Sequence, residues 1–308
     1  MIYVGGVPFA PDDSSQGMDT LIALMELPVL MSASNSFKSM PEKKLSVSEP
    51  SSKNRKWVHI FQREFATVDP ALVDCGMLSV AHMDSPNIVD AGLTQMLSLV
   101  ANHDSDDLLD VHLIGAFDDI SYQHSHLDKI SRMKMKGFSH PLCAKIIETL
   151  RNRSEKFQIQ TLHVLGHNTR WDSQGVGSFI FHGFVVETST GSIIPASFDR
   201  SSKCPDEIVR RIRITSSYDD PSWTGKLLDT YDTITDHFVI HPCAWSIRQK
   251  EMALALQNLS DTEILLNCSS SPSAECPHFV DNLRRDVGLF DPTPRLEKKF
   301  SVKAGTCV

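Results

Sequence analysis

The sequence contains no apolar run long enough to cross a lipid bilayer, and it does not open with a basic stretch followed by an apolar core. It therefore predicts neither a membrane-spanning helix nor a cleaved signal peptide. Its seven cysteines are odd in number, widely spaced and never arranged as Cys-x-x-Cys, which disfavours a disulfide framework. We therefore expect reduced thiols and a cytoplasmic location, with the nucleus as a further compartment.

Basic residues are also in the minority, with 30 Lys and Arg against 38 Asp and Glu and a formal charge of −8. This balance argues against general nucleic-acid binding, because phosphate-binding proteins carry an excess of positive charge. It is compatible with a cationic partner such as the free amino end of a peptide, and also with ordinary solubility. The charge leaves the oligomeric state open.

Several common site motifs are missing as well. The glycine pairs lack the spacing of a phosphate loop, and the serine-rich stretch 269–273 contains no G-x-S-x-G nucleophile motif. His124 and His126, with Asp119 and Asp128, are the best set for a metal, but no further residue follows at ligand spacing. The sequence therefore predicts no metal and no other cofactor.

The 308 residues and their 41% hydrophobic content predict a sizeable core. Strand-like and helix-like segments follow one another without regular alternation, which predicts an α+β fold. The predicted elements include strands over Trp57–Phe65 and Leu78–His82, a helix that begins at Ser139, a hairpin of Ser178–Glu187 and Ser192–Phe198, and a helix that begins with a capping box of Ser260 and Glu263. We expect one domain over residues 1–292, a mobile Ser-, Lys- and Glu-rich loop at 32–56 within it, and a loose tail at 293–308. Arg210, Arg211 and Arg213 are predicted to form a solvated basic edge where a short helix over 205–211 meets a strand over 213–217.

The stretch from Val73 to Pro86, VDCGMLSVAHMDSP, places Cys75 seven residues before His82. A cysteine and a histidine that meet in space can serve as a nucleophile and its base. Seven residues of extended strand span roughly 23 Å, so these two side chains meet only if the chain reverses between them. The alternatives are a buried inert thiol and a surface histidine.

Seven segments together resemble the eukaryotic protein N-terminal asparagine amidohydrolases and span about four-fifths of the chain. They are QREFATVDPALVD (Gln62–Asp74), SVAHMDSP (Ser79–Pro86), LDVHLIGAFDD (Leu109–Asp119), PASFDR (Pro195–Arg200), PDEIVRRIR (Pro205–Arg213), LLDTYDTITDHFVI (Leu227–Ile240) and SSSPSAECPHFVDNLRR (Ser269–Arg285).

The resemblance implies an enzyme that deamidates asparagine at the amino terminus of proteins to aspartate, a step of the N-degron degradation pathway. It also implies a cysteine thioester intermediate, protein or peptide substrates and no metal. The fold implied is an α–β–β–α sandwich of two mainly antiparallel sheets with outer helices.

Carried over residue by residue, the resemblance makes His82 the general base. The family nucleophile lies in a Thr-Thr-Cys run on a strand that turns back toward this histidine, and no Thr-Thr-Cys occurs here. Cys75 stands where the family has the turn, as if about twenty residues carrying one central strand had been removed by alternative splicing or gene misassembly. We therefore expect this chain to be impaired in catalysis and destabilised. The alternative function is a non-catalytic form that binds peptides beginning with asparagine. Cys75 stays a candidate nucleophile, although it does not stand at the position of the family nucleophile.

The α-ammonium group of such a substrate requires a carboxylate. Glu275, in SPSAECPHF, is the first candidate and Asp84 the second. The competing interpretation of Glu275 is a carboxylate that stabilises the start of a helix through the helix dipole.

Overall fold

A computed structural model describes residues 1–10, 16–45, 58–68, 77–100, 107–119, 137–173, 175–199, 207–232, 235–240, 245–269, 278–288 and 300–303, together with residues 203, 272 and 275. The helices in these ranges are α1 (Gly17–Met25), α2 (Pro28–Ser39), α3 (Val89–Val100), α4 (Ser139–Asn152), α5 (Glu207–Ser217), α6 (Ile247–Leu256), α7 (Asp261–Cys268) and α8 (Phe279–Gly288). The strands are β1 (Ile2–Val4), β2 (Val7–Pro8), β3 (Lys43–Leu45), β4 (Glu64–Val68), β5 (Leu78–Ala81), β6 (Leu108–Ile114), β7 (Lys156–His163), β8 (Thr169–Trp171), β9 (Gly177–Phe179), β10 (Phe184–Val186), β11 (Ile193–Phe198), β12 (Leu228–Asp229), β13 (Tyr231–Asp232), β14 (His237–Ile240) and β15 (Phe300–Lys303).

The fold class is α+β, as the sequence predicts. Within the described ranges the strands form five sheets, in the orders β2-β1-β7-β6, β10-β11-β3, β12-β4-β5, β13-β14-β15 and β8-β9. The largest of these sheets is not mainly antiparallel, because β7 pairs in parallel with both β1 and β6. Helix α4 lies between β6 and β7 in the chain, and a connection of that length permits parallel pairing.

The main core lies between this largest sheet and helices α1 to α4. Its fully buried members include Leu21, Leu24, Ile147, Phe157 and Leu162. Burial of one such side chain is worth about 1.5–3 kcal/mol, so this cluster supplies much of the stability of this part of the chain. No single helix in the described part of the chain is long and apolar enough to span a membrane; α1 and α2 pass that test only jointly, with a bend of 69° between them.

Several predicted elements are confirmed. Helix α4 begins at Ser139 as expected, β10 and β11 form the expected antiparallel hairpin, and β5 covers Leu78–Ala81. The predicted capping box at the start of α7 is also present, with the Ser260 side chain accepting from the Glu263 backbone N–H while the Glu263 carboxylate accepts from the Ser260 N–H.

The predicted loop at 32–56 is wrong over its first part. Residues 32–39 belong to α2, which buries Leu30, Ser34 and Phe37 at helical spacing and has proline in its first turn. Strand β3 then pairs in parallel with β11. The polar composition of this segment reflects the exposed face of α2, because only every third or fourth residue is buried. Residues 46–56 lie outside the described ranges.

The predicted loose tail is wrong where the structure describes it. Phe300–Lys303 forms β15, which pairs antiparallel with β14 from His237↔Lys303 to Ile240↔Phe300. The pairing gives β14 a second ladder of backbone hydrogen bonds, which composition alone does not reveal.

The predicted helix-to-strand joint at 205–217 is wrong as well. One continuous helix, α5, covers the segment from Glu207, and Arg210 and Arg213 are 0% and 1% exposed rather than solvated. The β-branched residues Ile212, Ile214 and Thr215 favour a strand locally. The burial of residues three and four positions apart overrides that preference. The strand predicted at Trp57–Phe65 begins only at Glu64.

A candidate active site around His82

His82 directly follows β5 and is held by the pairing of β5 with β4. Phe65 and Ala81 are partners in this antiparallel ladder. The backbone N–H of His82 donates to the Glu64 carbonyl at 3.0 Å, and the Arg63 N–H donates to the His82 carbonyl at 2.8 Å. The histidine backbone is therefore fixed on both sides, and the residue as a whole lies at the surface.

The electrostatic environment of the imidazole combines opposing effects. Protein packed around the ring withholds water from part of it and lowers the pKa of His82, whereas the negative charges of Asp84 and then Glu64 act to raise it. The lowered pKa favours the neutral imidazole, which is the form that accepts a proton. A neutral imidazole can act as a general base toward a ligand that reaches it.

Asp84 lies two residues further along and is almost completely enclosed, with 6% of its side chain exposed. Its Oδ2 accepts hydrogen bonds from Gln62 Nε2 at 3.0 Å and from the Tyr218 hydroxyl at 2.5 Å. Its Oδ1 lies 3.7 Å from Nε of Arg63. Within the described ranges, neither Oδ1 of Asp84 nor Nε of Arg63 has a hydrogen-bond partner, although both atoms are buried.

Arg63 connects three segments at this site. Its φ of 65° is unusual for a residue with a side chain. Its backbone bonds to His82, and its carbonyl accepts from the Leu228 N–H at 2.7 Å. Its guanidinium lies 4.1 Å from the centroid of the Tyr218 ring, and Nη1 donates to Ser217 Oγ at 3.4 Å. Unusual backbone angles of this kind cost free energy and occur most often at functional sites.

Tyr218 completes this group from the end of α5. Tyr218 is 45% exposed as a residue, and its hydroxyl reaches the buried Asp84. Partial burial raises the pKa of Tyr218, and the Asp84 charge and hydrogen bond raise it further, against the opposing effect of Arg63. The phenol therefore stays protonated at neutral pH and donates to the carboxylate.

A second arginine–carboxylate pair contacts β4 through Glu64. Glu64 and Arg210 are both fully buried, with Oε2 and Nη2 2.5 Å apart and Oε1 and Nε 3.2 Å apart. Arg210 also lies 4.5 Å from the Phe61 ring centroid, and its Nη2 donates to the His59 carbonyl at 2.5 Å. The pair ties α5 to the strand whose Glu64 carbonyl holds His82.

The other predicted site residues are not brought to this group in the described structure. Glu275 is partly exposed, and its Oε1 accepts from Ser269 Oγ at 2.6 Å, just after α7. Cys75 lies outside the described residues, so the predicted separation from His82 stays a prediction.

Of the residues predicted as metal ligands, His124, His126 and Asp128 lie outside the described ranges. Asp119 is described, and its carboxylate accepts from the backbone N–H groups of Phe138 and Ser139, at 2.6 and 3.2 Å, at the start of α4. Within the described ranges no three His, Cys, Asp or Glu residues are grouped as metal ligands.

Sequence reasoning missed Arg63, Glu64, Arg210 and Tyr218 as members of this group. Arg63 and Glu64 stand in the quoted segment QREFATVDPALVD, and Arg210 in PDEIVRRIR, so the segments that carry the family resemblance contained the signal. Tyr218 lies outside every quoted segment and is 134 residues from Asp84, so only the fold brings the two together.

Comparison with known proteins identifies the family to which these features belong. The family model described as protein N-terminal asparagine amidohydrolase matches residues 72–305. A relative of that name from Arabidopsis thaliana is 51% identical over 331 aligned positions, covering 97% of this chain and 94% of the relative. Relatives of the same name from Sus scrofa and Mus musculus are 28% and 27% identical, over 71% and 61% of this chain and 62% and 52% of their own lengths. The chain belongs to the protein N-terminal asparagine amidohydrolase family and is thus a member of a hydrolase family.

Proposed function

We propose that this chain recognises proteins that begin with asparagine, and that the reaction of its site is hydrolysis of the asparagine side-chain amide to aspartate. The observation that carries the proposal is the 51% identity to the Arabidopsis thaliana protein N-terminal asparagine amidohydrolase over 97% of the chain. The aspartate product is a degradation signal for the N-degron pathway, so the proposed partners are proteins and peptides with an N-terminal asparagine.

The proposed chemistry uses a cysteine thiolate. His82 takes the proton of the thiol and becomes an imidazolium, the thiolate attacks the side-chain carbonyl carbon, and the carbonyl π electrons move to oxygen. The tetrahedral intermediate then expels the amide nitrogen as ammonia, which takes up a proton from the imidazolium of His82, and a thioester remains. Water, deprotonated by His82, adds to the thioester and releases aspartate and the thiolate. His82 is suited to these transfers because its lowered pKa favours the neutral form that accepts a proton, and because its backbone is held by β4.

The thiol is the step at which we propose that this chain is impaired. The chain has no Thr-Thr-Cys, and the comparison with the Arabidopsis thaliana relative supports a missing segment. That alignment covers 331 positions, which exceeds the 308 residues of the chain by 23, so at least 23 positions of the relative have no counterpart here. This number of unmatched positions leaves room for the loss of one strand, commonly five or six residues long, together with the turns beside it. The second candidate function follows directly: a form that binds N-terminal asparagine without turning it over.

For the substrate α-ammonium group, the geometry favours Asp84 over Glu275. Asp84 is buried two residues from His82 and has one carboxylate oxygen without a hydrogen-bond partner among the described residues. The described contact of Glu275 is with Ser269, at a different point of the chain. Replacement of Asp84 by Asn is therefore expected to weaken binding of a peptide with a free amino terminus more than replacement of Glu275 by Gln.

The proposed location is the cytoplasm, with the nucleus as a second compartment, and we propose neither nucleic-acid nor membrane binding. The formal charge of −8 supports the absence of nucleic-acid binding, because phosphate contacts require a basic surface. Fractionation of cells that express the chain at its native level tests this proposal. Recovery with membranes or chromatin would contradict it.

Ammonia release from a peptide that begins with asparagine separates the candidate functions. The matched reactions use the same peptide with an acetylated amino terminus and the Cys75→Ala variant. No ammonia together with saturable peptide binding supports the impaired, binding form. Ammonia release that Cys75→Ala abolishes would make Cys75 the nucleophile and overturn the proposed impairment. If the chain neither releases ammonia from the peptide nor binds it, the assignment of this chain to N-terminal asparagine is overturned.

A further inference from the structure

Two buried charged groups face each other beside His82 without completing their hydrogen bonds. Oδ1 of Asp84 and Nε of Arg63 are 3.7 Å apart, and each side chain is at most 6% exposed. Buried polar atoms without hydrogen-bond partners are uncommon, because each forfeits its hydrogen bonds with water, and here only the charge attraction across 3.7 Å replaces them. Such a pair calls for a third group that supplies one donor and one acceptor.

The remaining contacts of the two side chains fix their orientation. Oδ2 of Asp84 is occupied by Gln62 and Tyr218, at 3.0 and 2.5 Å, so that Oδ1 is the oxygen left over. The guanidinium of Arg63 is stacked on Tyr218, and its Nη1 is directed to Ser217. A site that is held in place before its ligand arrives binds with a smaller loss of conformational entropy.

We propose that Asp84 and Arg63 together bind the main chain of the substrate's first residue, with Oδ1 of Asp84 accepting from the α-ammonium group and Nε of Arg63 donating to the carbonyl oxygen of the same residue. This inference rests on the proposed function. In every peptide the terminal nitrogen and the first carbonyl oxygen are about 3 Å apart, because only Cα and the carbonyl carbon separate them. That spacing is close to the separation of the two protein atoms, so two parallel hydrogen bonds of ordinary length form together.

This assignment gives Arg63 a specificity role that is separate from the chemistry at the side chain. Binding the main chain through Arg63 and Asp84 leaves the asparagine side-chain amide free to point toward His82. It also explains how the site can reject internal asparagine, because only a terminal residue offers an ammonium group beside its carbonyl. Tyr218 is a positioning residue in this arrangement, since it holds both partners and reaches the ligand through them.

Fluorescence anisotropy with labelled ten-residue peptides tests the proposal in the full chain. The peptides begin with Asn, with acetylated Asn and with Asp; the last shares the main chain of the substrate and has no amide to hydrolyse. The variants are Asp84→Asn, Arg63→Lys and, as a matched control, Arg284→Lys, which alters an arginine paired with Asp261 in a different part of the chain. Thermal melts of all variants identify any loss of folding.

The proposal predicts at least about tenfold tighter binding of the free than of the acetylated Asn peptide, as expected for loss of one charge-assisted hydrogen bond. Asp84→Asn is expected to abolish that preference. Arg63→Lys is expected to weaken the Asn and Asp peptides by the same factor, about tenfold, because the lysine ammonium cannot reproduce the Nε geometry. Arg284→Lys is expected to leave all affinities unchanged.

Three results would overturn the proposal while leaving the proposed function intact. They are unchanged binding by folded Arg63→Lys, an unchanged free-to-acetylated preference in Asp84→Asn, and a loss in Arg63→Lys that differs between the Asn and Asp peptides, which would place Arg63 at the side chain. Failure of the unmodified chain to bind the free Asn peptide would overturn the proposed function, and this inference with it. If Arg63→Lys fails to fold, the proposal is tested by Asp84→Asn and by a peptide whose first carbonyl is replaced by a thiocarbonyl. A thiocarbonyl peptide that binds as tightly as its parent would contradict the Arg63 contact.

Discussion

The Tyr218 hydroxyl donates to Oδ2 of Asp84 across 2.5 Å, and this contact joins the end of α5 to the segment that follows β5. The two residues are 134 positions apart in the chain. Both segments therefore have to be in place before the group around His82 exists.

Tyr218→Phe is expected to keep the ring over Arg63 and to remove only this hydrogen bond. We expect the free energy of unfolding to fall by about 1 kcal/mol, because Oδ2 of Asp84 loses one of its two donors and keeps the other, Gln62 Nε2. Urea denaturation followed by fluorescence measures the change. The matched control is Tyr231→Phe, which removes a 2.9 Å hydrogen bond to Asp236. An equal loss of stability in the two variants would show that the hydrogen bond to Asp84 contributes no more than this one.

Removal of one member of the buried Glu64–Arg210 pair is expected to be far more damaging. Glu64→Gln replaces the buried negative partner of Arg210 by a neutral amide. We expect a loss of about 3–5 kcal/mol in the free energy of unfolding, because a buried ion pair is broken by removing one of its members. Asp261→Asn, in the Arg284–Asp261 pair whose Asp261 side chain is 74% exposed, is expected to cost at most about 1 kcal/mol. Denaturant titrations of the two variants provide the comparison, and equal losses would contradict the importance of burial.

The stability of the protein is expected to fall in mild acid because of two enclosed histidines. Burial lowers the pKa of His163 to about 4 and that of His59 to about 3, below the usual value of 6.5. Between pH 6.5 and these values the unfolded chain binds protons that the folded chain does not bind. Each histidine therefore lowers the free energy of unfolding by up to about 1.4 kcal/mol per pH unit as the pH falls through this window.

Chemical denaturation at pH 7.5, 6.0 and 5.0 measures this dependence. His163 is fully buried, and its Nδ1 lies 2.8 Å from Ser34 Oγ. His163→Gln keeps a polar partner for Ser34 but cannot titrate, so its stability is expected to depend less on pH than that of the unmodified chain. A slope identical to that of the unmodified chain would mean that His163 does not titrate with unfolding.

Gly137→Ala is expected to destabilise the start of α4. Gly137 has a φ of 60°, and a Cβ there would lie 2.1 Å from Oδ1 of Asp119, the carboxylate that accepts from the first backbone N–H groups of the helix. Left-handed backbone alone costs about 1–2 kcal/mol for a residue with a side chain, and displacement of the cap adds to it. Gly166→Ala is the control, because no atom lies within 4 Å of its added Cβ, and thermal melts of both variants test the difference.

The two described cysteines are expected to differ in their reactivity toward iodoacetamide. Burial raises the pKa of the Cys143 thiol to about 12, so very little thiolate exists at neutral pH, and Cys143 is 5% exposed. Cys268 lies at the end of α7 and is partly exposed. Mass spectrometry of tryptic peptides after brief labelling at pH 8 should show modification of Cys268 before Cys143, and the reverse order would contradict the burial of Cys143.

Local patterns in the sequence predict the parts of the fold that local interactions determine. The capping box at Ser260 and Glu263 and the helix that begins at Ser139 depend on neighbouring residues, so reading the sequence finds them. Helix α5 cannot be predicted in this way, because its β-branched residues favour a strand locally. The helix depends on long-range contacts such as that of Arg210 with Glu64, 146 positions away. The same holds for the strand at Phe300–Lys303, whose partner is β14.

The candidate site divides in the same way. His82 and Asp84 lie in one short motif and are found from the sequence. Arg63 and Tyr218 become part of the group only through long-range contacts, and Tyr218 carries no sequence signal for a role beside Asp84. An arginine and a tyrosine are too common in proteins for their identities alone to suggest such a role.

The ladder between β4 and β5 has its Phe65↔Ala81 rung beside His82 and its Val68↔Leu78 rung at the opposite end, where residues 69–77 connect the strands. Additional residues grafted into that connection enter at the far end of the ladder, and the entropy of closing a longer loop rises only with the logarithm of its length, about 0.6 kcal/mol for each doubling. The hairpin thus offers an insertion point at which a thiol-bearing segment can be added by engineering while the backbone of His82 keeps its hydrogen bonds to β4 and Arg63.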